Sequence, residues 1–139
     1  MVVIPIAILG LLPAYAQQVI PDAETTQAAS TDGIETTLAE AINAYFSGEL
    51  ETARASLRAL VQDPDFQSHS KRLEGMVYLA EVEYYLGERD ASWTSCVAVL
   101  SIDPTYKIDP FVHPPELVAF FDSVRAATIQ APSPTTSPR

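Results

Sequence analysis

Two stretches of this chain repeat one another, and that repeat limits the folds open to it. Ala44-Tyr45-Phe46-Ser47-Gly48-Glu49-Leu50-Glu51-Thr52-Ala53 lines up with Glu83-Tyr84-Tyr85-Leu86-Gly87-Glu88-Arg89-Asp90-Ala91-Ser92. Both run from aromatic residues through Gly-Glu into a segment that opens with small side chains. An Asp-Pro pair follows each, at Asp63-Pro64 and Asp103-Pro104; the glycines stand 39 residues apart and the prolines 40. Glycine tolerates the left-handed backbone that ends many helices. Proline forces the residue before it out of helical geometry. Punctuation at this period describes two copies of one small unit, and such units bury their apolar faces only by stacking on neighbours.

Between the punctuation marks the apolar residues follow a helical period. Ile34, Leu38, Ala41, Ile42 and Tyr45 share one face of a first helix. Leu50, Ala53, Leu57, Leu60 and Val61 form a second stripe, with Glu49 and Glu51 at its start, where the helix dipole favours anions. Residues 65–70, DFQSHS, read as a polar connection. A third helix carries Leu73, Met76, Val77, Ala80 and Tyr84 on one face and Tyr78, Val82 and Tyr85 on another. A helix apolar on two faces belongs between neighbours. Trp93, Cys96, Val97 and Leu100 mark a fourth. Pro115 and Glu116 suit the first turn of a fifth, whose stripe is Leu117, Phe120, Phe121 and Val124, and Phe111 and Val112 are expected to tuck under its start. No strand pattern competes. The expectation is an all-α domain over residues 34–126, two antiparallel helical hairpins closed by a C-terminal capping helix.

The ends read differently. Residues 1–16 hold no charged side chain; an apolar run to Leu12 precedes Pro13 and Ala14-Tyr15-Ala16. That is the pattern of a secretory signal peptide cleaved after Ala16, and the run, at about 11 residues, is shorter than the roughly 20 a membrane span needs. It implies a periplasmic or secreted protein with no integral membrane span after cleavage. Residues 17–33 read as a flexible leader, and 127–139, with prolines at 132, 134 and 138, as a Pro/Ser/Thr-rich tail.

The paired Gly-Glu and Asp-Pro signals, together with Leu79-Ala80 as a large–small pair in the third helix, resemble the tetratricopeptide (TPR) family across about residues 35–106. The resemblance implies a fragment of a right-handed α-α superhelix and a role in binding other proteins, as in bacterial envelope proteins that use such modules. It also implies that the first helix of each unit lines a concave, peptide-holding groove. On that basis Tyr45, Tyr84 and Tyr85 are candidate partner-binding residues, with inter-helix packing as the alternative, flanked by Glu74, Glu81 and Arg89. The family pattern is broken at Ser92, where alanine is expected, and at Glu83, where a large apolar residue is usual.

Charge narrows the partner. With 18 acidic against 8 basic side chains the formal charge is −10. Nucleic acid is disfavoured, because its binders rely on Lys and Arg; a basic or neutral protein or peptide is preferred, and self-association stays open. No phosphate loop, paired-cysteine motif or zinc-protease signature is present, so no catalytic residue, cofactor or metal is expected. His69 reads as a solvated loop residue and His113 as the entrance to a helix. Glu81 and Glu83, two apart on a helix, do not face one another and read as solvated surface. Cys96 reads as buried and structural, with an intermolecular disulfide as the alternative. The sequence thus points to a non-catalytic protein-interaction module, or else to a structural subunit or accessory domain of a larger envelope assembly.

Overall fold

A computed structural model describes residues 23–130, with side chains from Thr31 onward. The segment read as a signal peptide, the first part of the segment read as a leader, and the residues beyond Gln130 lie outside the described residues. Those described form six helices and no strand: α1 Ala23–Phe46, α2 Leu50–Gln62, α3 Pro64–Gln67, α4 Arg72–Tyr85, α5 Arg89–Ile102 and α6 Pro115–Gln130. The chain is therefore all-α. None of these helices is long and apolar enough to cross a membrane.

The repeated Gly-Glu signal is a repeated hydrogen-bond motif. Gly48 has φ 81° and Gly87 φ 80°, the left-handed region. The Gly48 N–H donates to the Tyr45 carbonyl and the Glu49 N–H to that of Ala44. Gly87 donates to Tyr84 and Glu88 to Glu83 in the same pattern. This pair of bonds is the Schellman motif, which satisfies the last carbonyls of a helix while turning the chain. The Asp-Pro signals also share one chemistry: Asp63 Oδ1 accepts from the Asp65 N–H, and Asp103 Oδ1 from the Thr105 N–H, both at 2.8 Å. Asp109-Pro110 is a third copy, accepting from Phe111.

Packing runs in chain order. α1 packs on α2, α2 on α4, α4 on α5 and α5 on α6. One core, built from α1, α2, α3 and α4, holds Leu38, Leu57, Phe66 and Val82; a second, from α4, α5 and α6, holds Val77, Cys96, Val99, Leu117 and Phe121. α4 feeds both cores and is buried from Gly75 through Glu83, as a helix apolar on two faces should be.

Five sequence readings need revision. The segment read as a flexible leader enters α1 at Ala23, and the segment read as tail continues α6 to Gln130. Residues 65–70 are more than a polar connection: Asp63 caps the single turn α3, which drives Phe66 fully into the first core. Phe66 lies against Gly75, where a Cβ would come within 2.7 Å of its Cζ. His69 is likewise covered, its side chain 7% exposed and stacked on Phe66. Finally, Phe111 and Val112 do not tuck under α6; they stand out from the loop, Phe111 at 97% exposure.

Candidate functional site

The C-terminal turns of α1 and α4 bring their aromatic residues together. Tyr45 lies 5.1 Å from Phe46 and 6.5 Å from Tyr85, ring centre to ring centre. Tyr85 meets Tyr84 at 5.6 Å, and Tyr84 meets Phe120 of α6 at 5.2 Å. Phe120 in turn contacts Trp93 of α5 at 5.9 Å. Six rings from four helices thus form one continuous belt, and spacings of this size suit edge-to-face and offset contacts. Phe46 is 67%, Tyr85 44% and Trp93 38% exposed. The Arg89 guanidinium lies over the Tyr84 ring, 3.5 Å from its centre, a cation–π contact. The hydroxyls of Tyr84 and Tyr85 and the indole N–H of Trp93 donate to no group among the described residues.

Beneath the belt is a buried glutamate. Glu81 is 1% exposed. Its Oε1 accepts from the Tyr45 hydroxyl, and its Oε2 lies 2.6 Å from His113 Nδ1. His113 is itself buried, its ring 5.0 Å from that of Tyr78. Glu81 therefore ties the 103–114 loop and the end of α1 to the middle of α4. The reading of Glu81 as solvated surface flanking a groove is corrected: it supports the belt from below. Burial, then the bond to Glu81, pushes the Tyr45 hydroxyl well above its usual range; burial also raises Tyr78 and Tyr85, with Glu74 acting on the first and Glu116 on the second. All three rings stay neutral donors at ordinary pH.

Glu83 is also buried rather than solvated, at 2% exposure. Arg58 of α2 reaches it with Nε at 3.1 Å and Nη2 at 2.9 Å, and the Ser95 hydroxyl of α5 donates at 2.7 Å. Glu83 stands where the repeat pattern wants an apolar side chain, and it compensates by joining three helices. Ser92, the other departure, is fully buried and donates to the Ala80 carbonyl at 2.7 Å. Cys96 is fully buried as well, and burial, then the Glu83 charge, pushes its thiol up to about 12.

The structure thus brings together Tyr45, Tyr84, Tyr85 and Arg89. Glu81 lies under them, and Glu74 is exposed in the first turn of α4, at the far end of that helix from the tyrosine pair. Sequence reasoning missed Phe46, Trp93 and Phe120 as belt members because their positions also fit core stripes. It missed His113 because its partner is 32 residues away. Among the described residues no group of three or more His, Cys, Asp or Glu is placed to hold a metal ion. A cavity of about 310 Å³ is lined by Lys107, Ile108 and Arg125, among others, and a cleft of about 400 Å³ by Glu49 and Leu86, among others. No protein-family model, no curated protein and no solved structure matches the chain.

Proposed function

We propose that this protein is an exported, non-catalytic interaction module that holds a segment of a partner protein on the aromatic belt. The observation that carries the reading is the belt itself, six rings from four helices left partly open to solvent on a rigid, polar-bonded support. Tyrosine and tryptophan are enriched at binding surfaces because they offer large contact area and a polar handle at little entropic cost. In this reading the two helix pairs are TPR-like hairpins, α6 caps the stack, and α1, α4, α5 and α6 present the recognition face. Export rests on residues 1–16, which carry the signal-peptide pattern.

Site-specific photocrosslinking in the native envelope tests it. A crosslinker at Tyr85 should capture a defined partner that one at exposed Ala59 on α2 does not. Equal capture at both positions, or none at either, removes the belt as a recognition surface. The exposed Phe111 and Val112 favour a second reading, in which the chain is a structural subunit that stacks on a copy of itself. Sedimentation of a clean monomer at high concentration would sink that one.

A further inference from the structure

Resting on the reading of the belt as a recognition surface, we infer that its occupant is an extended, proline-rich segment carrying Lys or Arg. Three features of the belt converge on that chemistry.

The first is its donors. Tyr84, Tyr85 and Trp93 present two hydroxyls and an N–H that the described residues leave unused. A polyproline II segment has no internal hydrogen bonds, so its carbonyls point outward and need such donors. An amphipathic helix has already satisfied its carbonyls and leaves these three groups idle. The second is shape. Rings 5.1–6.5 Å apart, three of the five contacts edge to face, form a continuous aromatic surface. A polyproline II turn of about 9 Å spans between one and two of those steps, and proline-rich segments dock on aromatic-lined surfaces. The pre-set backbone of proline also lowers the entropy lost on binding.

The third is charge. Glu49 follows Phe46 in the α1–α2 turn, Asp90 lies one turn before Trp93 on α5, and Glu116 lies one turn before Phe120 on α6. All three are exposed, and none forms an ion pair among the described residues. The one cation on the belt, Arg89, is already placed over Tyr84. The rim is therefore anionic, in a chain of net charge −10, and a basic side chain in the ligand meets an unpaired carboxylate at either end.

Trp93 is the single tryptophan of the chain, so its emission reports directly on the belt. The full chain is titrated with an arginine-bearing polyproline peptide and, separately, with an amphipathic helical peptide of equal charge. Saturable quenching or shift of Trp93 emission by the first and not the second is expected. The double variant Tyr84→Phe and Tyr85→Phe keeps both rings and removes two donors; it should weaken binding about tenfold or more. Glu116→Gln should weaken the arginine peptide and leave an uncharged polyproline peptide unaffected. Unchanged affinity in the Phe double variant overturns the inference. Binding of the helical peptide in place of the polyproline one also overturns it, yet leaves the belt a recognition surface. Silence from both peptides, with no specific crosslink at Tyr85, removes both readings.

Discussion

Glu81 shows how much a single side chain carries here. Its carboxyl group is buried, and each oxygen has one hydrogen-bond partner, Tyr45 or His113. Removing one partner leaves a buried polar group unsatisfied, which costs about 1–3 kcal/mol. His113→Ala should lose stability on that scale in urea unfolding, whereas Phe111→Ala, two residues earlier and fully open to solvent, should lose almost none. Equal losses would mean that the histidine does not anchor the loop. Gly75→Ala makes a separate case, because the added Cβ would meet Phe66 at 2.7 Å and Leu38 at 3.3 Å. Overpacking of that kind costs about 1–3 kcal/mol. The tyrosines give a pH dependence whose sign is fixed by burial. Tyr45, Tyr78 and Tyr85 are raised above the usual 10.0, so folding favours their neutral form. Their contribution is fully present below pH 10.0 and is lost as pH rises from there through the higher folded values. Denaturation midpoints that stay level across pH 10.0 would contradict the burial of these hydroxyls.

Among the elements, the turns were the most legible in the sequence, because everything that makes them is local. A glycine with φ near +80° and two backbone bonds explain why Gly-Glu recurs, and an Asp side chain reaching two residues ahead explains Asp-Pro. Gly87→Ala should therefore cost about 1–2 kcal/mol, read as a lower midpoint in thermal or urea unfolding with the helix content of the folded state unchanged. Helix registers were legible for the same reason, since α2, α4, α5 and α6 each follow an apolar period visible in about a dozen residues. The buried carboxylates were not legible. Glu83 is paired with Arg58, 25 residues away, and Glu81 is hydrogen-bonded to Tyr45 and His113, 36 and 32 residues away. Sequence spacing on one helix says where a side chain leaves the backbone. It does not say what stands opposite, and that decides whether a glutamate faces water or an arginine. The belt was half legible for a related reason: Trp93 and Phe120 have the apolar character of core residues, and how far neighbouring helices cover them is decided by packing distant in sequence.

For the molecule as a whole, α4 is the keystone. The same helix supplies Val82 to one core and Val77 to the other, and its two buried glutamates reach α1, α2, α5 and the 103–114 loop. Neither half can release α4 and keep its own core, so equilibrium unfolding should follow one transition by circular dichroism and by Trp93 fluorescence alike. Separated transitions would mean that the two helix pairs are independently stable. Cys96 offers a further view of that cooperativity. Sealed in the second core at zero exposure, with its thiol held near 12, it is shut away from oxidants and alkylating reagents as long as α5 and α6 stay closed over it. The rate at which a thiol reagent labels the folded chain is thus a clock on how often that end of the stack breathes, and a ligand that staples α4 to α6 across the belt should slow it.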